Sequence, residues 1–143
     1  SENTMRKLIL TAILSVFSIA MYSQTRDTII LDNIQPDECN CYTITKSGKI
    51  EYNYYMSGLV RQDFKKLTFI FVNSDTLYVY TNIDTKQPMA RLIAKNDYWA
   101  YEEYNWGYAL NFDMRKKELY FMIRHTDTLI VFTRRFKQLK TEY

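Results

Sequence analysis

Residues 69–81 read Phe69-Ile70-Phe71-Val72-Asn73-Ser74-Asp75-Thr76-Leu77-Tyr78-Val79-Tyr80-Thr81, two runs of aromatic and β-branched side chains around a polar break. Such side chains fit a pleated, half-buried surface, and a short polar break between two of them reads as a hairpin turn. The pattern returns without gaps at Phe121-Met122-Ile123-Arg124, His125-Thr126-Asp127-Thr128 and Leu129-Ile130-Val131-Phe132-Thr133. In both copies the turn holds an Asp whose side chain can bond the backbone two residues on. Asp27-Thr28-Ile29-Ile30 repeats the Asp-Thr start. We read the echo as one recurring hairpin solution and not as duplicated function.

Outward from this stretch the same spacing continues. Strand-like runs fall at 28–31, 42–45, 49–54, 67–72, 77–81, 90–94, 98–103, 107–112, 118–123 and 129–132, with turns at Lys46-Ser47-Gly48-Lys49 and Asp113-Met114-Arg115-Lys116. Short runs without a sustained 3.6-residue period favour an antiparallel meander over alternating strands and helices. One short helix fits residues 54–66, where Tyr55, Leu59, Val60 and Phe64 recur at helical spacing around a weakening Gly58. Leu67-Thr68-Phe69-Ile70-Phe71-Val72 is apolar on both faces and needs cover on both. The expected fold class is all-β: a single small antiparallel meander closing as a barrel or sandwich, at a scale resembling that of lipocalins. That likeness is one of architecture and carries no function.

The N-terminal segment reads differently. After Met5-Arg6-Lys7 comes a run of largely apolar residues from Leu8 to Met21, then Tyr22-Ser23-Gln24. Cations, a short greasy segment and a small residue before a polar exit are the regions of a secretory signal peptide, and the run is short of the roughly 20 residues a spanning helix needs. The exit resembles leaders of Bacteroidota-type Gram-negative bacteria, in which the mature chain begins at Gln. The expected organisation is a non-native or upstream preface at 1–4, a signal peptide at 5–23, and one β-rich domain at 24–143 with a short basic C-terminal tail. The expected location is the periplasm or cell surface. The first Cys is Cys39, too far from the leader for lipid attachment there.

A domain of 120 residues has room for a hydrophobic core. Outside the leader stand 17 basic and 15 acidic side chains, a balance that points to neither nucleic acid nor strong membrane steering. The cations gather in Arg134, Arg135, Lys137 and Lys140, a solvated tail or a docking patch for an anionic partner.

The best candidate surface is Tyr98, Trp99, Tyr101, Tyr104, Trp106 and Tyr108, six aromatic rings within eleven residues. Strand alternation puts Trp99 and Tyr101 on one face and Tyr98 and Ala100 on the other, leaving one face for a protein or a glycan. The competing reading packs these rings in the barrel interior.

Catalytic constellations are weak. Glu102 and Glu103 point to opposite faces of a strand, whereas glycosidase carboxylates must flank one bond about 5 to 10 Å apart. The one histidine, His125, falls in a hairpin turn beside Asp127 with no nucleophile at a recognisable spacing. No phosphate-cradling glycine loop or nucleophile elbow occurs. Cys39 and Cys41 suggest first a strained local disulfide, next free thiols or an intermolecular bridge, and last a metal lacking its remaining ligands. No cofactor, metal or catalytic residue is assigned, and an integral span of the mature chain is not expected.

The sequence therefore favours an exported, non-catalytic interaction module of the cell envelope. It would bind a protein, as an accessory subunit or a periplasmic immunity or inhibitor protein. The alternative is a binder of a glycan or small apolar ligand through the Tyr/Trp face or the barrel interior.

Overall fold

The computed structural model describes residues 27–142; the preface and signal-peptide readings at 1–23 lie outside the described residues. Its strands are β1 (Asp27–Leu31), β2 (Cys39–Ile44), β3 (Ile50–Tyr52), β4 (Leu67–Phe71), β5 (Thr76–Thr81), β6 (Ala90–Ala94), β7 (Tyr98–Glu103), β8 (Trp106–Asp113), β9 (Glu118–His125), β10 (Thr128–Arg135) and β11 (Lys140–Glu142). One helix, α1 (Tyr54–Asp63), lies between β3 and β4, and single 3-10 turns stand at Pro36–Glu38 and Phe136–Gln138.

All strands form one antiparallel sheet in the order β11-β1-β4-β5-β6-β7-β8-β9-β10-β2-β3, curled into a half-barrel. The expected meander is the β4–β10 part of it. Between β1 and β2 the chain crosses from one flank to the other, and through α1 it crosses back. Among the described residues no helix is long and apolar enough to cross a membrane.

Strand alternation selects the concave face. Leu67, Phe69 and Phe71 of β4, Leu77 and Val79 of β5, Leu110 and Phe112 of β8, and Leu119, Phe121 and Ile123 of β9 are buried, while the residues between them are more accessible. Two chains of aromatic contacts fill the interior. Phe71, Trp99 and Phe112 meet edge to face at 5.6 Å, and Phe136 continues from Phe112 at 6.1 Å. Phe69 meets Phe121 at 5.2 Å, and Phe64 of the segment after α1 meets Phe132 at 5.3 Å. Each such pair adds about 0.5–1.5 kcal/mol beyond its buried area. The concave side is thus a packed core.

The turns follow their side chains. Gly48 takes a φ of 87°, and Asp113 accepts backbone N–H bonds from Arg115 and Lys116 at 3.0 Å each. The two echoed turns differ. In the first, Asn73 accepts the backbone N–H groups of Asp75 and Thr76; the second is a tight turn with Thr126 at a φ of 53°.

Helix α1 covers a sheet edge. Asn53 caps it by accepting the Met56 N–H at 2.9 Å, and Val60 is buried with Met56 and Phe64 packed alongside. The apolar stripe is therefore Met56, Val60 and Phe64: Val60 and Phe64 are as expected, while Tyr55 and Leu59 are exposed and Met56 packs inward. β3 pairs only Tyr42–Ile44 of β2, so the start of β2 lacks a strand on that side. Buried Ser57 accepts the Cys41 N–H at 2.8 Å and donates to the Cys41 carbonyl at 3.2 Å, while Arg61 donates to the Cys39 carbonyl at 2.8 Å. Two side chains thus complete a ladder that an open edge would leave unpaired.

Candidate functional site

The β7–β8 and β9–β10 hairpin tips lie side by side, joined by a bond from the Thr126 N–H to the Asn105 carbonyl at 3.1 Å. Glu103 pairs with Trp106, which leaves Tyr104 and Asn105 as a two-residue turn. Tyr104 adopts a φ of 53° and is 99% exposed. A left-handed backbone costs a non-glycine residue about 1–2 kcal/mol.

Trp106, 45% exposed, stacks on its cross-strand neighbour His125 at 4.1 Å and lies parallel to Tyr108 at 6.1 Å. The Tyr101 hydroxyl donates to Glu103 Oε2 at 2.9 Å, and that bond, with some burial and the carboxylate charge, raises the phenol pKa. Burial, then the Glu103 charge, raises Tyr108 likewise. The tip therefore presents rings held by stacking and hydrogen bonds in one arrangement.

Beside the tip runs a groove of about 710 Å³ on the convex face. Its floor is Ala100, Gly107 and Ala109, small residues between the larger Tyr98, Met122 and Leu129. In the cross-strand row Glu102, Gly107, Arg124, opposite charges flank a residue without a side chain. No ion pair joins Glu102 and Arg124 among the described residues, and Arg124 Nε donates to the Thr126 carbonyl at 3.2 Å.

Of the six aromatic candidates, Tyr98, Tyr104 and Trp106 are exposed, and Tyr101 and Tyr108 are half-buried against the core. Trp99 is a correction: it is 0% exposed, sits between Phe71 and Phe112, and cannot touch a partner. Its Nε1–H has no hydrogen-bond partner. The parity of β7 is as expected, but the face Trp99 shares with Tyr101 is the core.

The basic tail is also corrected. β10 runs to Arg135, and after the 3-10 turn that holds Lys137, β11 pairs with β1, so Arg134, Arg135 and Lys140 belong to the sheet. Arg134 is 7% exposed, bonded to Glu38 and Asp32, and is no part of a docking patch. Lys140 reaches Asp32 at 3.6 Å. Arg135 and Lys137 instead share a hollow with Lys116, Lys117 and Glu118.

The disulfide between Cys39 and Cys41 is not formed. Both thiols are free and buried on the concave side of β2. In extended backbone residues i and i+2 share a face with Cα atoms near the limit of about 7 Å for a bridge, and β2 has no kink to shorten that span. Burial, the dominant cause, pushes Cys39 up to about 11 and also raises Cys41.

Sequence reasoning missed one surface. Ile50, Tyr52, Tyr54, Tyr55 and Leu59 are all exposed, Tyr54 at 86% and Tyr55 at 75%. Tyr52 meets Tyr42 at 5.7 Å and Tyr54 at 6.3 Å, continuing an aromatic row from β2 across β3 to the start of α1. The signal was the Tyr52-Asn53-Tyr54-Tyr55 run, which falls partly in the expected strand at 49–54 and partly in a helix stripe beginning at Tyr55.

No family model, curated protein or solved structure matches the chain.

Proposed function

We propose that this protein is an exported, non-catalytic binding module of the cell envelope that engages a protein partner through the β7–β8 hairpin tip. The observation that carries the reading is Tyr104, a large aromatic residue placed wholly in solvent on a left-handed backbone. Strained non-glycine residues persist where the surroundings hold them, and they cluster at binding and catalytic sites. Neighbouring Trp106 is ordered against His125, so little side-chain entropy remains to be lost on binding. Aromatic anchors beside a groove that excludes water are the usual energetic centre of a protein interface.

Export rests on the leader-like segment at 5–23. The packed interior supports surface binding over capture of a molecule inside the barrel. The test is cross-linking and pull-down from native envelope extract with tagged wild type and a Tyr104→Ala, Trp106→Ala variant. A stoichiometric partner held by the wild type and lost by the folded variant establishes the reading. Equal capture by both refutes it, and binding of glycans in place of protein transfers the same surface to the second ligand class.

A further inference from the structure

The two ends of the sheet are protected unequally. At one end, β11 presents Lys140, Thr141 and Glu142, a short charged strand of the kind that discourages pairing. At the other, β3 presents Ile50, Glu51 and Tyr52, all exposed, with Tyr54 and Tyr55 beyond.

Register fixes which groups β3 offers. The Asn53 N–H donates to the Cys41 carbonyl at 2.9 Å and the Thr45 N–H to the Lys49 carbonyl at 2.8 Å. With Thr43 opposite Glu51, strand alternation turns the Glu51 N–H and carbonyl toward β2. The N–H and carbonyl groups of Ile50 and Tyr52 therefore face outward, and β3 is the last strand of the sheet. Four main-chain groups at strand spacing match the alternating donors and acceptors of a polypeptide.

Side chains narrow the occupant. A second copy pairing antiparallel about Glu51 would set two Glu51 carboxylates directly opposite each other, a destabilising pair. A strand with a cation at that position meets opposite charge instead, sharing Glu51 with the exposed Lys49, whose Nζ lies 3.9 Å from Glu51 Oε1. Its two flanking residues fall beside Ile50 and Tyr52, on the face that Tyr54 extends.

We propose that the β3 edge is a second docking site, distinct from the hairpin tip, that accepts an extended segment of a partner protein by strand addition. The segment reads apolar-basic-apolar, its cation opposite Glu51 and its apolar residues on the Tyr52–Tyr54 surface. Backbone bonds supply the attachment and the alternating side chains the choice of partner.

The test uses isotope-labelled protein and a capped synthetic peptide, Thr-Val-Lys-Val-Thr. Amide shifts should change at Ile50 and Tyr52, with ring-proton shifts at Tyr54. Methylating the backbone nitrogens of both Val residues should weaken binding at least tenfold, because those nitrogens face β3; methylating the Lys nitrogen should not. Glu51→Lys should reverse the preference toward a Glu-centred peptide, and Tyr104→Ala should leave all of this unchanged. Absence of peptide-induced shifts, equal binding of both methylated peptides, or concentration-dependent shifts at Ile50 and Tyr52 without peptide would overturn the proposal, the last by showing a second copy on the edge.

Discussion

Arg134 and Glu38, 96 residues apart, form a two-pronged pair in which Nε donates to Oε2 and Nη2 to Oε1, each at 2.9 Å. The same guanidinium donates to the Asp32 carbonyl at 2.7 Å. It thereby ties β10 to the crossing between β1 and β2. Burial acts to raise the Glu38 carboxyl pKa, but hydrogen bonds from Arg134 and the Gln35 N–H, with the Arg134 charge, bring it below its ordinary 4.5.

A depressed carboxylate contributes stability above its unfolded pKa, and that contribution is lost as pH falls through the folded value. Glu38→Gln should therefore flatten the acid limb of the stability curve. At neutral pH it should cost about 3 kcal/mol, the low end for breaking a buried pair, because Asp32 still faces the guanidinium. Urea unfolding across the acid range measures both. A variant as stable as wild type would show that the pair holds no structure together.

Trp99 and Trp106 should separate cleanly. Trp99→Ala empties the junction of Phe71 and Phe112 and should cost about 3–5 kcal/mol. Trp99→Phe should cost much less, since removing an unpaired buried N–H recovers about 1–3 kcal/mol. Trp106→Ala should stay within about 1 kcal/mol of wild type, as a half-exposed residue at a hairpin tip. Thermal unfolding of the three variants is the measurement, and a folded, stable Trp99→Ala protein would contradict the packing.

Much of this was legible in the sequence, and the failures have particular causes. Short apolar and β-branched runs between polar turns located the ten strands β1–β10; most alternate between core and solvent, whereas β3 is exposed throughout. β11 was invisible: Lys140-Thr141-Glu142 carries no apolar signal and is a strand only because β1 offers it an edge. Parity also puts Arg134 on the same side as buried Phe132, but its partner Glu38 is joined to it only by the fold. Tyr55 and Leu59 suggested a core stripe where the buried stripe runs through Met56, Val60 and Phe64, and that error hid the exposed aromatic surface.

The thiols predict an alkaline limb. Cys39, raised by burial from 9.0 to about 11, contributes stability that is fully present below 9 and lost as pH climbs toward 11. Native protein should resist thiol-specific reagents near neutrality and label at Cys39 and Cys41 only after unfolding. Mass analysis before and after denaturant checks this. Rapid native labelling would place a thiol at the surface.

Ser57 should matter out of proportion to its size. Its hydroxyl serves both the N–H and the carbonyl of Cys41, where β2 has no strand on its β3 side. Ser57→Ala leaves the Cys41 N–H buried without that partner, while the carbonyl keeps the Asn53 N–H, and should cost about 1–3 kcal/mol. Amide exchange should quicken at Cys41 before it does elsewhere in β2. Unchanged exchange there would mean that α1 covers the edge without bonding it.

Tyr104 sets stability against binding. Glycine adopts its φ of 53° freely, which recovers about 1–2 kcal/mol, while the looser unfolded chain returns about 0.5–1 kcal/mol. Tyr104→Gly should therefore be neutral to more stable by up to about 1.5 kcal/mol, and Tyr104→Ala, which keeps the strain, should be near neutral. Both remove the exposed ring and should weaken capture of the proposed envelope partner at least about tenfold, the loss of one modest anchor. The comparison assigns the ring to recognition only if stability and binding move independently. If Tyr104→Gly is destabilising, the ring is packed and the strain argument fails; if it is stable and the partner is retained, the tip is not the binding surface.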